Sequence, residues 1–446
     1  MGRGDMGHQE KSISYFFLFG MIIHFDCNNF YASCELLFRP DLKDRPVVVA
    51  NGNDAGGGII LALNQHAKQL GLKRGNPLFQ VRQILERHQV SVFQANLEKY
   101  SSISKRIMQV VVEQDILQHF TQYSIDEFFG EMPLDDETEL TYYISQVRKA
   151  ITQGLGIPVS CGAAETYTLA KTATWFAKHY PAYRGICIIS PQKREAALRI
   201  LPAKEIWGIG RRSIEKLQYH GIQTAFDFVQ KKESFIQRLF TSSGVNTWKE
   251  LKGIRSINID KLPQQRSIMH SRTFDRHISD LEQLRNYLSN YASAAARKLR
   301  DQHSVCHTLT VLLRTNRHRP DLPQYANSIN VELPISTDDT RLILRAALHG
   351  LEQIFKPHYA YKKMGIILQD ITDNKAVEQD LFFSQQHDIN KSRRLMSAID
   401  TINNRFGTNK VKMAIQDNGK SSSNVLTNIQ PFKNELSNLD DIIQIK

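Results

Sequence analysis

The sequence predicts a multidomain α+β protein, and three observations carry that expectation. The chain has 446 residues, enough for several domains that each bury a core. Strand-like and helix-like segments alternate across residues 21–190 around a few carboxylates, which predicts a mixed sheet with helices on one face. A second stretch of the same kind begins near residue 266, after a glycine-punctuated helical hairpin and a polar linker.

Composition narrows the partners. Lys and Arg number 57 against 45 Asp and Glu, a formal net charge of +12. An excess of that size points to a polyanion, either nucleic acid or an anionic membrane surface. No apolar run reaches the ~18–20 residues that a membrane span needs. Cys27, Cys34, Cys161, Cys187 and Cys306 are scattered, with no CxxC pair. That pattern favours reduced thiols and a cytoplasmic location over a zinc site or disulfide frame.

Residues 1–20 read as an N-terminal extension, with Met21 as the alternative start. Residues 21–26 (MIIHFD) form an apolar run that ends on Asp26. Residues 27–35 (CNNFYASCE) then turn into a helix, and a helix N-terminus is a natural seat for phosphate. Residues 46–50 predict a strand. Residues 51–58 predict a flexible loop, not a P-loop, because no Gly-Lys-Ser/Thr follows. A helix carrying Lys68 is expected over 62–70, ended by Gly71, and a longer one over 96–120.

Residues 123–129 (YSIDEFF) read as a half-buried strand with two adjacent carboxylates, Asp126 and Glu127. Burying such a pair is costly unless cations neutralise it. Together with Asp26, the set suits a hard oxygen-seeking cation, above all Mg²⁺. One geometric difficulty stands. Neighbours on a flat strand face opposite sides, so both acids reach one site only if the strand turns or bulges there.

Further on, residues 138–154 predict a helix, 159–164 a strand, 168–178 a helix bearing Lys171 and Lys178, and 183–190 a strand. The segment WGIGRRSIEKL (207–217), followed by His220-Gly221-Ile222, has the glycine spacing of a helix-hairpin-helix. Backbone amides at Gly208 and Gly210, with Arg211 and Arg212, suit a DNA phosphate held without sequence readout. Residues 253–267 predict a linker. Beyond it come a helix at 279–300, a strand at 309–313 leading into Arg314, Arg317 and Arg319, a helix at 338–355 and a strand at 363–368. From about 373 the chain reads as a polar tail with one apolar island at 378–383.

Two readings from other classes compete with the one that the motifs below imply: a DNA-binding accessory protein, and a two-metal nuclease that would use the same carboxylates. Taken in order, DCNNFYASCE (26–35), YSIDEF (123–128), the Lys171/Lys178 helix and WGIGRRSIEKL resemble the Y-family, or translesion, DNA polymerases. FRPDL (38–42) and PVVV (46–49) draw the likeness toward UmuC-type catalytic subunits of bacterial DNA polymerase V.

The resemblance implies a right-hand polymerase. Its ferredoxin-like palm would be 21–29 with 97–190, its small fingers 30–96, its helix-hairpin-helix thumb 191–255 and its α/β little finger 266–372, with 256–265 as linker and 373–446 as tail. It implies metal ligands at Asp26, Asp126, Glu127 and the Phe25 carbonyl, serving two Mg²⁺ ions. It implies a triphosphate seat at Cys27, Asn28, Asn29 and Phe30 with Lys68 and Lys178, and a steric gate against ribose at Tyr31. Leu63 and Gln65 stand where relatives often carry Arg and Tyr near the nucleotide. Implied partners are primer-template DNA, deoxynucleoside triphosphates, a cleaved UmuD-like dimer, RecA and a sliding clamp met through Asp380, Leu381 and Phe382. The implied activity is error-prone synthesis past damage in the SOS response.

Overall fold

A computed structural model of the chain describes residues 20–52, 58–259, 266–374, 389–407 and 410–416. The chain divides into two compact units, one within residues 1–261 and the other within 262–423.

In the first unit β1 (Met21–Cys27) runs into α1 (Phe30–Leu37) through Asn29, which is left-handed at φ 50°. A small layer follows. It holds β2 (Val47–Gly52), β3 (Gly58–Leu63), α2 (Gln65–Gln69), α3 (Leu78–Arg87) and β4 (Ser91–Gln94). The strands order as β3-β2-β4 over a core of Val48, Ile60, Leu63, Leu72 and Val81. The helix expected over 62–70 therefore begins only at Gln65. GIILAL pairs with β2 instead, and Asn64 caps α2 by accepting from the Ala67 N–H at 3.0 Å. Gly71 follows that helix at φ 82°, as its position in the sequence suggested.

Next, α4 (Leu97–Glu113) is shorter than the expected 96–120 helix, because Asp115 turns left-handed (φ 50°) and β5 (Gln118–Gln122) begins. β6 (Glu127–Met132), α5 (Glu137–Gly154), β7 (Val159–Ala164), α6 (Tyr167–His179) and β8 (Ile186–Ile189) complete a five-stranded sheet ordered β5-β6-β1-β7-β8. Only the β7–β8 pair is parallel.

Helices cover both faces of this sheet, not one. Ile23 and Phe25 share a core with Tyr100, Ile107, Ile144 and Val147 from α4 and α5. Ile22, on the opposite side of the strand, packs with Leu169, Ala170 and Ala173 of α6. That second core continues into α7 (Pro191–Ile200), α8 (Arg211–Tyr219), α9 (Ala225–Gln230), α10 (Glu233–Leu239) and α11 (Ser242–Leu251) through Leu198, Leu217, Phe228, Ile236 and Trp248.

The second unit has β9 (Ile268–Ile278), α12 (Leu281–Asp301), β10 (Ser304–Thr315), β11 (Ala326–Thr337), α13 (Thr340–Ile354) and β12 (Tyr361–Asp373). Its antiparallel sheet runs β11-β10-β12-β9, and α12 and α13 bury Leu284, Leu288, Ile343 and Leu351 against it. β11 did not show in the sequence. It is an edge strand that carries Pro334, which a central strand would not tolerate.

The expected tail also contains structure. α14 (Ile389–Phe406) buries Met396 and is pinned by Asp400, which accepts from Arg300 at 2.6 and 2.9 Å. Among the described residues no helix is long and apolar enough to cross a membrane.

Candidate active site

The site begins as a matter of strand register. Asp26 of β1 lies opposite Glu127 of β6, and Phe25 opposite Phe128. The two Phe rings stack at 4.6 Å on the far face, so the acids share the face that α6 covers.

Residues 123–129 are not one strand. β5 ends at Gln122, a turn spans 123–126, and β6 starts at Glu127. Ser124 Oγ ties that turn. It donates to Asp126 Oδ1 at 2.6 Å and accepts the N–H groups of Asp126 (3.2 Å) and Glu127 (3.1 Å). The Asp126 carbonyl accepts the Cys27 N–H at 2.9 Å, which locks the turn to the end of β1. Asp126 therefore leaves from a turn and Glu127 from a strand, and the alternation of a flat strand no longer sends them apart. Burial pushes the Asp26 carboxyl up to about 6, Lys178 beside it pulls the other way, and the charges of Glu127 and Asp126 add to the rise.

Two ammonium groups on α6 face the acids. Lys178 Nζ lies 2.5 Å from Asp26 Oδ2, and Lys171 Nζ lies 2.9 Å from Glu127 Oε2. Seven residues apart on one helix, they present to the same side. Lys171 was not among the residues expected in the site. The signal for it was a second lysine, seven residues before Lys178, on a helix whose other positions are mostly small or apolar. His24, fully buried, lies 3.8 Å from Glu127 Oε1. Burial and the two lysines push its pKa well below the usual range.

At the start of α1, Asn29 caps the helix without a side-chain bond. Of the four N–H groups expected to hold phosphate, that of Cys27 serves the Asp126 carbonyl and that of Asn28 serves the Pro158 carbonyl at 2.8 Å. The groups from Asn29 and Phe30 onward stand at the helix start. Lys68 Nζ donates to Asn29 Oδ1 at 2.7 Å, and burial with the nearby Lys178 lowers its pKa. Tyr31 is half-buried, and burial first, then the Asp126 charge, raise its hydroxyl's pKa. Its ring stacks on Tyr100 at 4.5 Å and 18°. Tyr100 donates to Glu35 Oε1 at 2.5 Å, and Lys99 pairs with Glu35 Oε2 at 2.6 Å.

So Asp26, Asp126, Glu127, Asn29, Tyr31, Lys68 and Lys178 come together at one end of the sheet. Gly208 (φ 86°) and Gly210 lie on an exposed turn, and Arg211 and Arg212 are exposed at the start of α8 that follows it. Trp207, at the head of that turn, packs edge-on to Tyr123 at 5.6 Å. Arg314 and Arg317 are exposed at the end of β10 in the second unit, and Arg319 is paired with Asp321 at 2.6 Å. Asp380, Leu381 and Phe382 lie outside the described residues.

Among the described residues no three His, Cys, Asp or Glu side chains stand arranged ready for a metal ion. Asp26 and Glu127 instead point at lysines. The donor chemistry nevertheless fits a hard divalent cation, since every candidate ligand is a carboxylate or carbonyl oxygen. Occupation would require the ammonium groups to give way.

The sequence matches the model of the impB/mucB/samB family over residues 25–175 and that of the family's C-terminal domain over 265–381. A domain of unknown function matches 393–424. Protein ImpB of Salmonella typhimurium is 34% identical over 394 residues, covering 87% of this chain and 91% of that protein. Protein UmuC of Salmonella typhimurium strain LT2 is 33% identical over 395 residues, covering 88% and 92%. Among solved structures, a Y-family DNA polymerase chimera of Dbh and Dpo4 shares the fold, with TM-score 0.62 at 20% identity over 79% of this chain and all of the chimera.

Proposed function

The chain belongs to the impB/mucB/samB family of translesion DNA polymerases, and we propose that it adds deoxynucleotides to a primer 3′ end at Asp26, Asp126 and Glu127. The observation that carries this reading is the register of Asp26 against Glu127, with Asp126 in the turn beside them. On this reading the palm is 21–29 with 97–190, the fingers 30–96, the thumb 191–255 and the little finger 266–372. In support, the five-stranded sheet, the three-stranded layer, the helices α7 to α11 and, but for Asp373 at its end, the four-stranded sheet fall within those spans.

Asp26, Asp126, Glu127 and the Phe25 carbonyl would hold two Mg²⁺ ions. When bound, these supply the Lewis acidity that lowers the pKa of a primer hydroxyl and neutralises a leaving pyrophosphate. The chain's own residues do the positioning. The N–H groups at the start of α1, with Lys68 and Lys178, hold the triphosphate. Tyr31, backed by Tyr100, presents a ring edge or face where a ribose 2′-hydroxyl would sit. The Gly208–Gly210 turn with Arg211 and Arg212, together with Arg314 and Arg317, holds phosphates of primer-template DNA. The finer partners of this reading are a cleaved UmuD-like dimer, RecA and a sliding clamp met at Asp380, Leu381 and Phe382, in an SOS role.

Primer extension on a template with an abasic site tests it. Extension past the lesion is expected with Mg²⁺ and none with a chelator. If no primer is ever extended, with the partner proteins supplied, an accessory DNA-binding role replaces the polymerase.

A further inference from the structure

Lys171 is held more elaborately than a surface cation needs. Its ammonium lies 2.9 Å from Glu127 Oε2 and 3.5 Å from His24 Nε2. Three rings surround it, with centroids at 4.9 Å (Tyr123), 5.3 Å (Trp207) and 5.8 Å (Phe129). Only 15% of its side chain meets solvent. His24 is oriented to serve it. Thr174 Oγ1 lies 2.9 Å from His24 Nδ1 and also reaches the carbonyls of Ala170 (3.1 Å) and His24 (3.2 Å). The hydroxyl's one hydrogen goes to a carbonyl, so its lone pair accepts from Nδ1–H. That leaves the Nε2 lone pair facing the ammonium. Carboxylate, imidazole lone pair and aromatic faces all favour a cation at this point.

We propose that Lys171 is the resident counter-ion of Glu127, a positioning residue that holds the carboxylate in place when no metal is bound and competes with a divalent cation for it. The inference rests on the reading of Glu127 as a metal-holding residue. A cation arriving at Glu127 has to share the carboxylate with this ammonium or displace it. Without the ammonium, Glu127 faces Asp26 and Asp126 with its charge uncompensated. The metal-free protein is then less stable, and the same carboxylates draw a divalent cation more strongly.

The test uses the full chain without DNA or nucleotide, with Mn²⁺ as the probe and free Mn²⁺ read by electron paramagnetic resonance. Lys171→Met is expected to tighten Mn²⁺ binding about tenfold, and Lys171→Arg, which keeps the charge, to stay within about twofold of wild type. The melting temperature of Lys171→Met in chelator should fall and recover on adding Mn²⁺. Lys171→Gln gives the same readout should the Met variant fold poorly. A folded, uncharged variant whose Mn²⁺ affinity is unchanged or weaker overturns the proposal. Glu127→Gln separates the two readings. If it leaves Mn²⁺ binding intact, Glu127 holds no metal and both fail. If it weakens binding while Lys171→Met does nothing, only the counter-ion role is lost.

Discussion

Asp26 of β1 and Glu127 of β6 are register partners across an antiparallel ladder, although a hundred residues separate them in the chain. The ladder sets their backbones, and Ser124 and Asp126 set the turn beside them. Replacing Asp126 by Asn or Glu127 by Gln changes charge with almost no change in shape. Either variant should lower primer extension by roughly 10³-fold or more, because charge placed against a reacting phosphate supplies much of the catalysis. Binding of primer-template DNA should persist, since on the proposed reading it rests on basic residues elsewhere. Steady-state extension beside a gel-shift titration checks this. Extension that survives either change removes these residues from the chemistry.

Tyr31 stacks on Tyr100, so if Tyr31 is the proposed gate, sugar selection is a property of the pair. Tyr31→Ala should raise ribonucleotide incorporation relative to deoxyribonucleotide by about 10²-fold, which corresponds to ~3 kcal/mol of steric exclusion. Tyr100→Phe keeps the ring but loses the hydroxyl that donates to Glu35 Oε1 at 2.5 Å. It should give a smaller change in the same direction. Single-nucleotide incorporation with both sugars gives the ratio, and an unchanged ratio in Tyr31→Ala would exclude the gate.

Glu250 is fully buried in α11 yet accepts three backbone N–H groups. They come from Thr168 at 3.0 Å, Ser256 at 2.9 Å and Ile257 at 3.1 Å. It therefore ties the first turn of α6, the helix of Lys171 and Lys178, to the segment that leaves α11. Glu250→Ala strands all three donors in the interior and should destabilise the first unit by about 3 kcal/mol or more. Urea denaturation followed by tryptophan fluorescence measures it, since Trp175, Trp207 and Trp248 all lie in that unit. A loss under ~1 kcal/mol would contradict the account.

Asp339, almost wholly buried, caps α13 by accepting from the Arg341 N–H at 2.8 Å, and it also takes bonds from the Arg341 side chain and Ser392 of α14. Burial alone would raise its pKa. The hydrogen bonds from Arg341 and Ser392 outweigh that and hold it below the ordinary carboxylate value. The sign follows from linkage. A depressed folded pKa means that the unfolded chain takes up the proton first. The stabilisation is therefore complete above the ordinary value of ~4 and is lost as pH falls through the folded pKa. Melting temperatures from pH 7 down to 3 should drop more steeply in wild type than in Asp339→Asn. Parallel curves would show that the carboxylate contributes nothing there.

Much of this molecule is legible in the residues alone. The apolar run into Asp26, the paired acids at 126–127 and the glycine spacing at 208–221 each state a local preference that needs no distant partner to be read. Those preferences, with the family resemblance, named the carboxylates, Lys68, Lys178 and the hairpin as candidates. Other features depend on what arrives from elsewhere. YSIDEFF alternates like a strand, but the Ser124 hydroxyl and the Cys27 N–H make its first half a turn. β11 holds a proline that only an edge position accommodates, and α14 owes its place to Arg300 and Asp339 in the body of the second unit.

The sequence by itself determined much of the chemical inventory: the acids, Lys68 and Lys178, most of the long helices and part of the strands. The tertiary structure alone decided the pairings. Lys171 meets Glu127 across 44 residues because β6 lies beside β1 and α6 packs on the face that carries both acids. Such a contact depends on register and packing summed over many residues, and no local window of the chain contains that sum.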